Sequence, residues 1–257
     1  MIRLDLIGIG TGSPDHLTVQ AMRAMNEADL ILLPRKGSAK SGLLDVRRAI
    51  CDAVLTQPVR VVEFDLPTRD AGRDYVDAVQ SWHDAIAAAW AAQIALHLPE
   101  GGRLALLVWG DPSLYDSTLR IARRLIRKGM EIDIRVVPGI SSLHALTAAH
   151  AIPLNRLTQA VTITTGRLLR AHGWPAGAGS VVVMLDEGGA FQTLDGSDIE
   201  IWWGAYLGMP AQSLIAGRLA AVSAQIMETR ARLRQEHGWI MDIYLMQERR
   251  DRSAAST

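Results

Sequence analysis

The residues best suited to chemistry in this chain stand just beyond short apolar runs. In LVWGDPSLYDSTLRIARRL (107–125), Trp109, Gly110, Asp111, Leu114 and Tyr115 follow a strand-like stretch and precede an amphipathic helix. Glycine lets a backbone approach a ligand closely, and Pro112 fixes a turn. The Asp111 carboxylate could hold a cationic group, hold the turn itself, or cap the helix predicted from residue 114. In VVPGISSLHALTAAHAIPL (136–154), Ser141 and Ser142 fall at a helix start, where a hydroxyl can cap or can meet a ligand. VVVMLDE (181–187) delivers Met184 and Asp186 to the end of a further apolar run.

The first run ends in GIGTGSPDHLT (8–18). Glycines between a strand and a helix suggest close backbone approach to a ligand. A dinucleotide fingerprint requires G-x-G-x-x-G, but after Gly8 and Gly10 the third place is Ser13. Pro14 also interrupts the helix entry, and Asp29 begins the next strand instead of ending it, the wrong place for a ribose-binding acid. There is no G-x-x-x-x-G-K-[ST] either, so a P-loop is excluded. The seven histidines show no ligand spacing, and Cys51 stands alone, so no metal site and no internal disulfide are expected.

These residues need elements to position them. Strands are predicted over 3–10, 29–34, 61–66, 103–110, 132–138, 161–166, 180–186, 198–207 and 238–246. Helices are predicted over 18–28, 42–54, 73–98, 114–128, 141–150 and 220–236. The alternation argues for α/β layers with largely parallel sheets. Nine strands exceed the usual sheet of about five or six, so two sheets are expected. The domain boundary is placed near GDPSLY, giving an N-terminal domain over 1–113, a C-terminal domain over 114–248 and a disordered tail over 249–257. Arg120, Arg123, Arg124, Arg127 and Lys128 gather toward the end of the helix predicted over 114–128, as a solvated face whose cations suit the helix dipole. Gly129 supplies the stop.

The 257 residues carry 27 Lys+Arg against 27 Asp+Glu, so net charge supplies no case for nucleic acid or a membrane surface. No run reaches the ~18 apolar residues of a membrane span. MIRLDLIGIG lacks the parts of a signal peptide, so a cytoplasmic protein is expected.

GIGTGSPDHLT, WGDPSLY and VVPGISSLHALTAAHAIPL, in this order and at these distances, resemble the tetrapyrrole (corrin and porphyrin) methyltransferase family. The resemblance covers nearly the whole chain. It implies a homodimer of two αβα domains with an active-site cleft between them. It implies S-adenosyl-L-methionine as methyl donor and S-adenosyl-L-homocysteine as product. The implied cofactor set is Trp109, Gly110, Asp111, Leu114, Tyr115, Ser141, Ser142, Met184, Ala205, Tyr206, Leu207, Gly217, Arg218 and Leu219. LVWGDPSLYDST, WWGAYLGMP, LIAGRL, GWIMDIYLM and Lys36–Gly37 resemble one branch in particular, which methylates C-1 of a corrin precursor and releases acetate.

A tetrapyrrole rich in carboxylates could meet Arg35, Lys36 and Lys40, with Gly10, Pro14 and Asp15 bordering the macrocycle. Asp111, Tyr115 and Asp186 are candidate catalytic residues. Asp116, Glu187 and His144 are further candidates for assisting acetate release. Two rival readings remain: a corrin methyltransferase with a different target carbon, and a non-catalytic tetrapyrrole-binding protein on the same scaffold.

Overall fold

The computed structural model describes residues 1–35, 41–68 and 75–249. The chain divides into two compact units, Met1–Ser141 and Ser142–Thr257.

The first unit holds a five-stranded sheet of β1 (Ile2–Gly8), β2 (Leu30–Arg35), β3 (Arg60–Asp65), β4 (Gly102–Val108) and β5 (Ile132–Val137). Its order is β3-β2-β4-β1-β5, and every pair is parallel. Alternate residues supply two cores. Leu4, Leu6, Leu104, Leu106 and Val108 pack under α3 (Tyr75–His97) and α4 (Thr118–Arg127). Ile7, Ile9, Ala105 and Leu107 pack under α1 (Val19–Asn26) and α2 (Ser41–Val54). The near-continuous apolar strands follow from burial on both faces. Asp5, 1% exposed, survives in the sheet because Arg135 on the neighbouring strand grips both its oxygens, at 2.7 and 2.5 Å.

The expected boundary between residues 113 and 114 is displaced. β5 pairs with β1 along six residues, which binds the whole stretch through Ser141 into the first unit. The predicted helix over 114–128 also begins later. Leu114 N–H closes a turn onto the Asp111 carbonyl at 3.2 Å, and Tyr115 adopts φ 50°, outside helical space. Asp116 then accepts from Thr118 N at 2.6 Å at the true helix start. Its end is as expected, with Gly129 at φ 89°. Arg124 pairs with Asp84 at 2.8 Å and Arg120 donates to the Asp116 carbonyl, while Arg120, Arg123, Arg127 and Lys128 are exposed, as expected of a solvated face.

The second unit holds β6 (Ala160–Thr165), β7 (Ala178–Met184), β8 (Ile199–Ala205), β9 (Ser213–Arg218) and β10 (Asp242–Glu248), ordered β6-β7-β10-β8-β9. Only β6 and β7 are parallel; the other three pairs are antiparallel, against the expectation of largely parallel sheets. The cause is local. The chain turns back after Tyr206 at φ 50° and Gly208 at φ 75°, so β8 and β9 form a hairpin where one strand followed by a loop was predicted. α5 (Ser142–His150), α6 (Gly166–His172) and α7 (Leu219–His237) complete the unit. α6 carries its own signals: Thr165 Oγ1 accepts from Leu168 N at 3.4 Å, and Gly173 ends the helix at φ 70°. The core is built on Trp203, Tyr206, Tyr244 and Phe191, the last two meeting edge to face at 5.2 Å.

No helix among the described residues is long and apolar enough to cross a membrane. Residues 250–257 of the tail, together with Lys36, Gly37 and Lys40, lie outside the described residues.

Candidate functional site

In an open parallel sheet, ligands bind beyond the carboxyl ends of the strands. In the first unit those ends meet at glycines. A Cβ on Gly139 would lie 2.1 Å from the Gly110 carbonyl oxygen and 2.7 Å from Gly8 Cα. A Cβ on Gly8 would lie 2.6 Å from Gly139 N. Backbones following β1, β4 and β5 therefore touch directly. Gly110 N–H donates to the Gly10 carbonyl at 2.7 Å, and Gly10 N–H returns a bond to the Gly110 carbonyl at 3.4 Å.

Asp111 fastens this junction. Its Oδ2 accepts from Gly139 N at 2.9 Å, and its Oδ1 accepts from Ser113 N at 2.8 Å and from the Ser113 hydroxyl. Of the three roles open to Asp111, the structure shows turn-holding; at the helix start the cap position is Ser117, and Asp116 before it accepts from Thr118 N. Tyr115, 41% exposed, is no core residue, and its left-handed backbone turns it out of the chain's path. Half-buried Trp109 carries the Arg47 guanidinium over its ring at 5.2 Å.

The glycine-rich loop is similarly closed. Ser13 Oγ accepts from Asp15 N at 3.2 Å and caps a short 3-10 turn, Pro14–His16. His16 bonds Thr11 at 2.9 Å and fills the space beside Gly10, where a Cβ would meet His16 Cβ at 2.3 Å. The structure thus gives Gly10 a packing role, while Pro14 and Asp15 are exposed. Arg35 pairs with Asp65 at 2.9 Å on the surface.

The second unit presents a comparable strand edge. β6, β7 and β8 run parallel to one another, so Met184, Leu185, Ala205, Tyr206 and Leu207 lie at the same edge of the sheet. Two of these residues, Leu185 at φ 52° and Tyr206 at φ 50°, are left-handed without being glycine. Such outliers cluster at functional sites. Leu185 is also 63% exposed, and sequence reasoning missed it because backbone strain leaves no mark in composition.

Asp186, by contrast, is occupied. Its Oδ1 accepts from Arg170 at 3.2 Å and Gly188 N at 3.1 Å, and its Oδ2 from Ala190 N at 2.6 Å and the Tyr244 hydroxyl at 2.7 Å. Four bonds fill the acceptor capacity of a carboxylate. Burial and this neighbouring carboxylate push the Tyr244 phenol far up, so it stays a donor. Asp186 holds the turn, against its candidacy as a catalytic residue.

Tyr206 is likewise committed inward: it is 2% exposed, and its hydroxyl donates to the Trp239 carbonyl. Burial, then Asp242 and Glu236, raise that phenol to about 12. Only the backbone of Tyr206 is left to serve a ligand. Arg230, 8% exposed, ties the unit together through Asp242 at 2.9 Å, the Glu187 carbonyl at 3.1 Å and the Asp186 carbonyl.

The expected cofactor set does not assemble completely. Ala205 pairs with Ser213, but Glu200 pairs with Arg218, so Gly217–Leu219 sits at the opposite edge of the sheet. Five residues of strand separate the two edges, about 17 Å at ~3.3 Å per residue. Ser213 and Leu214 occupy the edge beside Ala205 instead. A prediction that the chain reverses after Leu207 would have found them. Ser141 is buried at the end of the first unit, and Ser142 opens α5. Among the described residues no group of three or more His, Cys, Asp or Glu is placed to hold a metal.

A wholly parallel sheet with glycine-lined strand ends, followed by a mixed sheet with left-handed turns at one edge, defines a two-unit α/β protein. The chain belongs to the Tetrapyrrole (Corrin/Porphyrin) Methylases, whose family profile matches residues 3–223. It is 46% identical over 254 residues to the precorrin-6A synthase [deacetylating] of Sinorhizobium sp, spanning 98% of this chain and 97% of that one. Among solved structures, the Corynebacterium diphtheriae cobalamin synthesis related protein CobF superposes with TM-score 0.81 at 39% identity, covering 96% of this chain and 99% of that one. The uroporphyrin-III-C-methyltransferase of Thermus thermophilus, at 23% identity, TM-score 0.61 and coverages of 96% and 92%, shares the fold.

Proposed function

We propose that the protein is an S-adenosylmethionine-dependent C-methyltransferase of aerobic cobalamin biosynthesis, converting precorrin-5 to precorrin-6A by methylating C-1 with release of acetate. The observation that carries this is 46% identity to a precorrin-6A synthase over 98% of the chain. We further take it to act as a homodimer, on the strength of the family resemblance, and in the cytoplasm, as suits a biosynthetic enzyme.

The residues present fit the donor. In the first unit Gly110 brings bare backbone to the strand ends at φ 62°, and half-buried Trp109 and exposed Tyr115 offer apolar surface for a nucleoside; in the second unit half-buried Met184 and exposed Leu185 offer apolar surface of the same kind. When bound, S-adenosylmethionine supplies an electrophilic methyl on a sulfonium, which leaves as a neutral thioether. An electron-rich macrocycle is already a carbon nucleophile, so the protein's contribution is alignment and exclusion of water, worth up to ~7–11 kcal/mol. Asp111 acts as a positioning residue: by binding Gly139 N and Ser113 it fixes the loop that carries Trp109, Gly110 and Tyr115. The proposed donor set is Trp109, Gly110, Leu114, Tyr115, Ser141, Ser142, Met184, Ala205, Tyr206 and Leu207.

The test is incubation with precorrin-5 and methyl-labelled donor, with mass analysis of both products. One labelled methyl on the macrocycle and one equivalent of acetate are expected. Methylation without acetate would assign a different target carbon, and no methylation would assign a binding protein; either overturns the proposal.

A further inference from the structure

β2 and β4 pair only through Leu30–Leu104, Ile31–Ala105 and Leu32–Leu106, although β2 continues to Arg35 and β4 to Val108. Where they part, a cavity of about 230 Å³ opens, bordered by Leu32, Phe64, Leu107, Trp109 and Arg47 among others. The parting also leaves a carbonyl of β4 without a strand neighbour. Consecutive carbonyls of a strand point to opposite sides, and the Val108 carbonyl accepts from Ile9 N on the β1 side at 2.9 Å. The Leu107 carbonyl therefore faces the β2 side, past the last pair that β2 makes with β4. Arg47, reaching from α2, stands in for the missing strand. Its Nε donates to the Leu107 carbonyl at 3.3 Å, and a terminal nitrogen donates to the Leu43 carbonyl of its own helix at 3.2 Å.

The same guanidinium acts on both ends of the loop that follows β4. It lies over the Trp109 ring, 5.2 Å from the centroid. Asp116, where the loop runs into α4, acts on it through space. Burial lowers the guanidinium to about 10, against the pull of Asp116, so it is cationic at neutral pH. With 9% of its surface exposed, Arg47 reaches a ligand through its neighbours and not by contact.

Trp109 has few other restraints. Its Nε1 is buried and meets no acceptor among the described residues, so no hydrogen bond sets the angle of the ring. The residue also borders the cavity, and side-chain atoms that face a void have no partner atoms there to hold them. A cation over the face of an indole is attracted by the ring quadrupole, more strongly where water is kept away. Burying a charge is unfavourable, so an apolar side chain would fill this position at less cost if packing were its whole purpose.

We infer that Arg47 is a positioning residue for the methyl-donor loop: its guanidinium closes the open side of β4 at Leu107 and holds the Trp109 ring at the angle the donor meets. This rests on the proposed function, which assigns Trp109 to the donor.

The test is a double-mutant cycle read by calorimetric titration with S-adenosylhomocysteine, with urea unfolding of each protein alongside. Arg47→Met should weaken binding about tenfold, through misplacement of the loop. In a Trp109→Leu background, itself weakened, Arg47→Met should weaken binding by less than about twofold more, because the residue through which it acts is gone. Arg47→Lys keeps a cation over the ring and loses the planar fork, so it should weaken binding only about threefold. An Arg47 that served stability alone would lower urea stability and leave the affinity of the folded protein unchanged, or change it by the same factor in both backgrounds. If Arg47→Met does not fold, Arg47→Gln, which keeps a donor for the Leu107 carbonyl and removes the charge, must show the loss and the non-additivity instead. The inference is overturned if the neutral variant binds as tightly as the native protein, if its loss is equal with and without the Trp109 ring, or if Arg47→Lys is no better than the neutral variant. Each of those results leaves the donor assignment standing. Native protein that does not bind S-adenosylhomocysteine overturns the donor assignment itself, and the role of Arg47 with it.

Discussion

Gly139→Ala strikes the point where three strand ends meet. The new Cβ would stand 2.1 Å from the Gly110 carbonyl oxygen, and ordinary contact begins near 3.4 Å, so one loop must retreat by about 1.3 Å. The opposing atoms are backbone and have no rotamer to change. Overpacking of this kind costs ~1–3 kcal/mol. The Asp111–Gly139 bond, 2.9 Å long, would stretch beyond hydrogen-bonding range, and a bond to a charged group is worth about 1.5–3 kcal/mol. A loss of about 3 kcal/mol in urea unfolding is expected. The same shift moves Trp109, Gly110 and Tyr115, and misplacement by about 1 Å can cost ~100-fold in rate. Calorimetric titration with S-adenosylhomocysteine should therefore show affinity at least tenfold weaker in the folded variant. Gly129→Ala is the control: Gly129 also has positive φ, 89°, but a Cβ there meets nothing within 4 Å. It should cost about 1 kcal/mol and leave affinity unchanged. Native stability with native affinity in Gly139→Ala would refute the view that this contact sets the loop.

Arg230→Met should destabilise the protein by ~3–5 kcal/mol in denaturant unfolding, because it strands the buried Asp242 carboxylate and strips two carbonyls of their donor; a loss under 1 kcal/mol would refute that role. The His83 imidazole is held below its ordinary value of 6.5 by burial and by Arg124 and Arg120. Its unfolded form takes up a proton first, so the stability it contributes is present above pH 6.5 and lost as pH falls through the lower folded value. His83→Gln should flatten that slope, and an unchanged pH profile would contradict it. Burial pushes the Cys51 thiol up to about 11, so alkylation at pH 8 should require unfolding; rapid labelling of native protein would contradict this.

Much of the first unit was legible because buried parallel strands read as apolar runs with helices between them. The expectation of largely parallel sheets failed where β8 returns through a short hairpin, since WWGAYLGMPAQSLIAGR carries its reversal in the left-handed Tyr206 and Gly208 and not in any polar interruption. The contacts at Gly217–Leu219 that the family resemblance implies lie one strand length from the edge holding Ala205. The loop around Asp111 stands out in the sequence as a turn after an apolar run, while its expected role toward a cofactor came from the family resemblance. The sequence did not reveal that Asp186 is saturated by Arg170, Tyr244 and two backbone amides, because those partners come from elements up to 58 residues away. Nor could it reveal the cavity at Arg47, which depends on where two strands stop pairing.

The most direct measurement is hydrogen exchange with and without S-adenosylhomocysteine. Protection is predicted at residues 109–115, 184–186 and 205–207, with none at 217–219. Saturable binding that protects 217–219 and leaves 109–115 unchanged would contradict the account.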